Sequence, residues 1–453
     1  MMTLDEAARA VGGVLGGESR GFTAVSTDTR SDLRDKLFIA LRGERFDAHD
    51  FLAQAAEQGA AGAMVAADAK VEVPGLPLIR VADTRRALSA LAGNWRARFA
   101  LPVIGVTGSN GKTTVKEMCA AILRAWLGEP AVLATAGNLN NDIGVPLMLL
   151  RLRAQHRAAV IEMGMNHPGE IAPLAGLARP DVAIVTNAQR AHLEGMGGLG
   201  SVAQEKGAIY RALTSAGVAV INADDDHADG WRLDAGQARC VSFGLKPGAD
   251  VTAQARTEAF GSHVSLRCEQ GQVDFELPIP GRHNVLNALG AAAACLAAGA
   301  PLAAVARGLA GFTGAGGRLQ RRQAERGAVL LDDTYNANPD SVRAAIDVLT
   351  CAPGQKILVL GDMGEIGDMS AQYHDEIGGY AKSAGVDRLF ALGEHSALAA
   401  RNFGAGGEFF ASSDALVEAL RAALGPDVVV LVKGSRFMRM ERIANAVCPP
   451  QQV

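Results

Sequence analysis

The apolar run Leu101 to Val106 leads into Gly105-Val106-Thr107-Gly108-Ser109-Asn110-Gly111-Lys112-Thr113-Thr114, and a helix-like segment rich in Ala, Leu, Ile and Met, Thr113 to Trp126, follows. Strand, glycine loop, lysine with hydroxyls, and helix in this order make a phosphate cradle. Glycines let backbone amides approach a polyphosphate, the helix N-terminus adds positive potential, the lysine reaches terminal phosphates, and a hydroxyl can hold magnesium. The strict P-loop pattern would place its first glycine at Val106, whereas glycines stand at 105 and 108, so the loop is a variant. Thr107 to Thr114 are therefore expected to bind ATP or GTP. A glycine-rich turn with an incidental lysine would have to explain all four features together.

Around this loop the chain reads as α/β. Apolar strand candidates at 101–106, 158–163, 181–187 and 217–222 alternate with helical segments, which predicts a parallel sheet with helices on both faces. The glycine-dense stretch Gly311 to Gly317 follows, and the alternation restarts at Ala328 to Leu331, Lys356 to Leu360, Arg388 to Leu392 and Val428 to Val432. Before the phosphate loop, residues 1–98 carry the strand-like Lys36 to Leu41 but are too short for a full doubly wound fold. The expected division is 1–98, 99–314 and 315–453, in keeping with the three domains that 453 residues suggest.

Composition narrows the partners. A net charge of −4 gives no general attraction to nucleic acid or anionic membranes, so an anionic ligand must be met by local residues. Met1 to Glu6 lack the pattern of a signal peptide, and Ala291 to Ala300 is too short an apolar run to span a bilayer, so a cytoplasmic protein without membrane insertion is expected. The six cysteines show neither zinc nor disulfide spacing.

Other chemical candidates stand mostly just after strand ends, where open α/β sheets place their ligands. Glu162 ends Ala158-Ala159-Val160-Ile161 and suits magnesium near nucleotide phosphates. His192, in Thr186-Asn187-Ala188-Gln189-Arg190-Ala191-His192-Leu193-Glu194-Gly195, is a metal ligand or polar contact, although a lone histidine is more often structural. Lys206 is unspecific by itself, because helical lysines are usually solvated. Asp332 to Ser341 forms a dense polar strand end; Asp340 and Ser341 could simply cap the next helix, but capping does not require the preceding Asp-Asp-Thr-Tyr-Asn-Ala-Asn. Gly361-Asp362-Met363-Gly364-Glu365 and Lys433-Gly434-Ser435-Arg436 likewise follow apolar strands, and three such ends on one unit point to a binding face.

The combination resembles the Mur ligase family of peptidoglycan synthesis over almost the whole chain. It is carried by Thr107 to Thr114, Glu162-Met163-Gly164, Thr186-Asn187 through Gly195, Lys206-Gly207, Gly281-Arg282-His283-Asn284-Val285-Leu286-Asn287-Ala288, Gly317-Arg318, and the three C-terminal strand ends. Those three look like the branch that adds D-alanyl-D-alanine to UDP-N-acetylmuramoyl-tripeptide. The resemblance implies a small N-terminal α/β domain for the UDP-sugar, a central P-loop-type parallel-sheet ATPase and a C-terminal Rossmann-like domain. It implies that Lys112 contacts the ATP phosphates, that Thr113 or Thr114 holds one of two magnesium ions, and that Glu162, His192 and a carbamylated Lys206 hold metal between phosphates and substrate. Asn284 and Asn287 would lie towards adenine, Arg318 near the phosphates and Asp333 near the ribose. Tyr335, Asn336, Asn338 and Ser341 would face substrate. Ser26, Thr27, Asp28 and the stretch Arg42-Gly43-Glu44-Arg45-Phe46-Asp47-Ala48-His49-Asp50 would meet the uridine side, and the enzyme would be a monomer.

Two positions depart from the family pattern: Gln189-Arg190 stands where Gly-Pro is usual, and Ala208 replaces a glutamate after Lys206-Gly207. A sibling ligase, adding an earlier amino acid or glutamate to folate, is the nearest alternative, but the Asp-Asn-Pro-Arg string of the tripeptide-forming branch is missing. A nucleotide-operated switch or scaffold is the alternative of another class. It has no need for Glu162, His192 and Lys206 together, and no Asn-Lys-x-Asp string exists to read guanine.

Overall fold

In the centre of the molecule, residues that read as unbroken apolar runs form strands buried on both faces, as parallel strands must be when helices cover each side. Six parallel strands lie in the order Arg239–Phe243, Val218–Asn222, Val182–Val185, Val103–Thr107, Ala158–Glu162 and Val132–Ala134. Alternate side chains go to opposite layers. Ile104, Val106, Val182 and Ile184 pack with the helices Lys112–Leu127 and Arg282–Ala297, whereas Val103, Ala183 and Val185 pack with Ile171–Ala178 and Leu199–Arg211. The computed structural model describes residues 1–43 and 46–449.

Beside this sheet lies one that the search for apolar runs does not anticipate. Thr252–Glu258, Gly261–Cys268 and Gly271–Leu277 form an antiparallel meander. Only alternate residues such as Val264 and Leu266 are buried, so no continuous run marks it. At its first turn Phe260 packs on the C-terminal core, with the Arg321 guanidinium 4.2 Å from its ring centre.

The N-terminal unit is a five-stranded sheet in the order Val14–Gly16, Leu78–Val81, Gly62–Ala66, Lys36–Ile39 and Ala24–Ser26, parallel except at Val14–Gly16. Its helix Thr84–Arg96 runs straight into the central core. Leu88, Leu91 and Trp95 share one apolar cluster with Met148, Leu149 and Leu174, and the Trp95 indole donates to the Leu152 carbonyl at 3.1 Å.

The C-terminal sheet has the order Gln320–Gln323, Val329–Asp333, Val428–Lys433, Gln355–Gly361, Arg388–Leu392 and Gly407–Phe410, parallel except at Gln320–Gln323. Leu331, Leu358 and Leu389 face one apolar cluster and Leu330, Ile357 and Phe390 the other. The polar edge strand Gln320–Gln323 and the short Gly407–Phe410 lack the apolar run that reveals the rest. The fold is thus α/β in three units, and no described helix is long and apolar enough to cross a membrane.

Candidate active site

The carboxyl ends of the central strands and those of the C-terminal sheet open onto one cavity of about 1000 Å³. Its floor is the phosphate loop between the strand ending at Thr107 and the helix starting at Lys112. Gly108 and Gly111 have φ of 149° and 79°, and both have close neighbours. A Cβ at Gly108 would collide with the Thr186 hydroxyl, and one at Gly111 would come within 2.5 Å of Asn287 Oδ1. A loop this tight, which meets the cavity through Ser109 to Lys112, fits a polyphosphate.

Lys112 folds over the loop, donating to the carbonyls of Gly108 at 2.7 Å and Ser109 at 3.1 Å. Removal from water pushes its ammonium down to about 8, against the opposing pull of the Glu162 carboxylate. Glu162 is 2% exposed. Its Oε1 accepts from Asn140 Nδ2 at 2.8 Å, and its backbone N–H donates to Thr135 Oγ1 at 2.9 Å. Its Oε2 is buried with no hydrogen-bond partner among the described residues. A half-satisfied buried carboxylate facing a phosphate cradle suits magnesium, which takes one or two carboxylates and completes its shell with substrate phosphates and water. No cluster of three or more acidic, His or Cys side chains forms a closed metal cage among the described residues.

Lys206 lies behind this wall rather than on it. Its side chain is fully buried, and its Nζ has no partner among the described residues. Burial holds this amine well below its ordinary range, the charge on Lys112 pushes the same way, and Glu205 opposes both.

Of the two threonines after Lys112, Thr114 lines the cavity, whereas the Thr113 hydroxyl accepts from Arg318 Nη2 at 2.8 Å. Arg318 also stacks its guanidinium 4.2 Å from the centre of the Tyr335 ring. Asn284 and Asn287 are buried along the cavity, with Asn287 Nδ2 donating to Asn284 Oδ1 at 3.2 Å. Opposite them Asp333 accepts from Lys433 Nζ at 2.6 Å and from the Leu319 N–H at 3.1 Å. Buried Lys433 also donates to the Asn336 carbonyl, so one cation braces two neighbouring strand ends.

His192 takes a left-handed backbone at φ 57°, and its Nδ1 lies 2.8 Å from Glu365 Oε2 of the C-terminal unit. The hydrogen bond from His192 is the main cause holding the Glu365 carboxyl below its ordinary range; Lys112 adds to it.

The helix Pro339–Thr350 is capped by a reciprocal pair, Asn338 and Ser341, whose Oγ accepts the Asn338 N–H at 3.0 Å; Asp340 takes no part in the cap. Asn338 Oδ1 accepts from the Ser341 N–H at 2.9 Å, while its Nδ2 donates to Asn110 Oδ1 of the phosphate loop at 2.8 Å. Asp340 is thereby free to receive Arg190, whose Nη2 comes within 2.5 Å and whose backbone N–H donates at 2.9 Å. The Gly-Pro of the family pattern would offer neither the guanidinium nor that N–H.

The cavity thus brings together Ser109, Asn110, Gly111, Lys112, Thr114, Glu162, His192, Asn284, Asn287, Arg318, Asp333, Tyr335, Asn336, Asn338 and Ser341. Thr107, Gly108, Thr113 and Lys206 stand behind its wall. The uridine-side candidates Ser26, Thr27, Asp28, Arg42, Gly43, Asp47 and His49 are not on it. Asp28 pairs with Arg30, whose hydrogen bonds lower its carboxyl to about 2. Arg42 bridges Asp68 at 2.9 Å and Asp47 at 3.2 Å, and His49 is held between Asp47 and the Ala66 N–H. Glu44 and Arg45 of the same stretch lie outside the described residues. The N-terminal unit reaches the cavity through Arg85, paired with Asp142 at 2.6 Å.

Sequence reasoning missed the wall formed by Asn140, Asn141 and Asp142 and that formed by Asn222, Asp224 and Asp225. The first lies beyond the overlooked strand Val132–Ala134; the second directly follows the recognised strand Val218–Asn222, so the strand-end rule could have found it.

Known proteins share this architecture. Residues 106–295 match the Mur ligase middle domain, and residues 317–436 match the Mur ligase, glutamate ligase domain. The UDP-N-acetylmuramoyl-tripeptide--D-alanyl-D-alanine ligase of Escherichia coli (strain K12) is 43% identical over 450 residues, 98% of each chain. The Bacillus subtilis (strain 168) protein of the same description is 35% identical, over 93% of this chain and 92% of its own. Among solved structures, crystal structure I of MurF from Acinetobacter baumannii superposes with a TM-score of 0.90 at 36% identity, covering 98% of both chains. The Thermotoga maritima MurF ligase in complex with ADP gives 0.80 at 26% identity, covering 93% of this chain and 96% of that one.

Proposed function

This chain belongs to the Mur ligase family, and from that premise we propose how its cavity works. The protein is an ATP-dependent ligase that joins D-alanyl-D-alanine to UDP-N-acetylmuramoyl-tripeptide, forming the UDP-muramoyl-pentapeptide precursor of peptidoglycan and releasing ADP and phosphate. The observation that carries the reading is the single cavity in which the phosphate loop, the open oxygen of Glu162 and the C-terminal strand ends converge.

A carboxylate in water is a poor acylating agent, so the reaction needs activation. An oxygen of the tripeptide's terminal carboxylate attacks the γ-phosphorus, and the bond from that phosphorus to the β-bridging oxygen breaks, leaving ADP and an acyl phosphate. The free amine of D-alanyl-D-alanine then attacks the acyl carbon, the tetrahedral adduct expels phosphate, the nitrogen loses a proton, and an amide remains. Lys112 and Arg318 lie where they offset the charge crowded among these anions. Holding the reactants together contributes roughly 7–11 kcal/mol, and apposition of the C-terminal unit excludes water from the acyl phosphate.

Magnesium supplies charge neutralisation between phosphates and carboxylate. In this reading Thr113 or Thr114 would hold one of two ions, and Glu162, His192 and a carbamylated Lys206 would hold the other. The buried, unpartnered Lys206 Nζ supports the carbamate: the amine adds to carbon dioxide, loses a proton and becomes an anion. Asn284 and Asn287 would face adenine and Asp333 the ribose. Tyr335, Asn336, Asn338 and Ser341 would face the peptide substrates, and Ser26 to Asp28 with Arg42, Gly43, Asp47 and His49 the uridine end.

The working division is 1–98, 99–314 and 315–453, with residues 311–317 as the hinge; Gly314 and Gly317 there take φ of 97° and 67°. We place the enzyme in the cytoplasm as a monomer acting on soluble substrates, without nucleic acid. The test is phosphate release with ATP, magnesium and UDP-N-acetylmuramoyl-tripeptide, with and without D-alanyl-D-alanine, together with product masses. Release that depends on the dipeptide and yields the pentapeptide is expected; release that ignores the dipeptide would overturn the assignment of the acceptor.

A further inference from the structure

Two residues outside the chemistry tie the central and C-terminal units together beside the phosphate loop. Arg190 gives Asp340 a backbone N–H at 2.9 Å, Nε at 3.1 and 3.2 Å, and Nη2 at 2.5 Å. Both side chains are mostly covered, 26% and 23% exposed, and the guanidinium lies 5.2 Å from the centre of the Tyr373 ring. A fork that engages both carboxylate oxygens fixes direction as well as distance, which a single point charge does not.

What lies behind each partner gives the pair its meaning. On one side Arg190 ends a loop bonded to the phosphate loop: the Ser109 N–H donates to the Asn187 carbonyl at 2.9 Å, the Gln189 N–H to Ser109 Oγ at 2.9 Å, and Asn110 Nδ2 to Gln189 Oε1 at 2.7 Å. On the other side Asp340 sits in the first turn of the helix Pro339–Thr350, two residues after Asn338, whose amide also grips Asn110. The phosphate loop, the 187–190 loop and this helix start therefore form a closed triangle of hydrogen bonds. An aspartate in a first helical turn is already favoured by the helix dipole, so its own helix does not require the arginine.

We infer that Arg190 and Asp340 are positioning residues, a clasp that sets the C-terminal strand ends over the phosphate loop for the reaction. The inference rests on the ligase reading for its kinetic consequence, but not for its structural one. Neither residue touches the reacting atoms; they act by fixing where the groups behind Asn336 and Lys433 stand relative to Lys112.

A double-mutant cycle tests it with Arg190→Ala, Asp340→Ala and the double variant, and with Arg190→Lys as the conservative control. Each alanine variant is expected to lower kcat by about tenfold, equivalent to ~1.4 kcal/mol, while the Kd for ATP of the free enzyme stays within about twofold. The double variant should lose no more than either single one, and lysine should restore only part, since it keeps the charge and lacks the fork. Losses that multiply in the double variant, or an ATP Kd that weakens in step with kcat, would overturn the clasp. Small-angle scattering of the same proteins with a non-hydrolysable ATP analogue separates the two readings. The variants should be more extended than wild type whether or not pentapeptide forms, and equal compactness would sink the clasp even if the ligase assay succeeds.

Discussion

His192 and Glu365 meet across the cavity, Nδ1 to Oε2 at 2.8 Å, although each holds a left-handed backbone, at φ 57° and 61°. Residues with side chains rarely adopt that region, and doing so costs roughly 1–2 kcal/mol each. Both contributors to one interunit contact are thus strained in the same sense, an arrangement typical of functional sites.

Removing the charge from this pair separates stability from turnover. The Glu365 carboxylate is 57% exposed, so Glu365→Gln should change stability by less than about 1 kcal/mol. Turnover should fall roughly tenfold, because His192 loses the anion that orients its ring. Denaturant titration and steady-state kinetics on one preparation decide this; unchanged turnover would take the pair out of the chemistry.

Lys112→Ala should abolish ATP turnover, by at least ~100-fold, while circular dichroism shows the fold unchanged. Near-normal turnover would refute a phosphate role for Lys112.

The depressed Lys112 ammonium also makes a pH prediction. Its folded value is about 8 against an ordinary 10.5, so between these values the unfolded chain binds more protons and stability rises with pH. Below about pH 8 the cost of keeping this ammonium charged in the folded state is present in full. Relative to Lys112→Met, the wild-type protein without nucleotide should therefore gain stability between pH 8 and 10.5. A difference that stays flat over that window would show that the lysine is not desolvated.

Lys206→Ala should lose activity that added short carboxylic acids partly restore, since they can replace the carboxylate of a carbamate. Failure of rescue in a folded variant would argue for a neutral amine at this site, and full activity without rescue would remove Lys206 from the mechanism.

Gly111→Ala should weaken nucleotide binding by tenfold or more, about 1.4 kcal/mol, because a Cβ there would press on Asn287 and strain a φ of 79°. Titration with a fluorescent ATP analogue measures it, and unchanged affinity would mean that the loop relaxes without cost.

What could be read in advance follows from the kind of signal each part leaves. Ile104 and Val160 sit in strands buried on both faces and leave continuous apolar runs; Val264 and Leu266 sit in a strand with one wet face and leave only alternation. Lys112 and Glu162 declare themselves by lying just past apolar strands. Asp340 reads as a helix cap, because its real partner, Arg190, is 150 residues away and local propensity carries no trace of it. Lys206 reads as a solvated helical lysine, and only the packed structure around it shows a nitrogen shut away from water.

The apolar cluster around Trp95 has a last consequence for how the molecule can come apart. Separating the N-terminal unit from the central one would wet hydrocarbon, at about 25 cal/mol for each Å² exposed. Along the other junction Asn110, Arg190 and His192 face Asn338, Asp340 and Glu365, groups that water solvates well when they part. The molecule therefore has one seam sealed by hydrocarbon and one whose contacts beside the phosphate loop are polar.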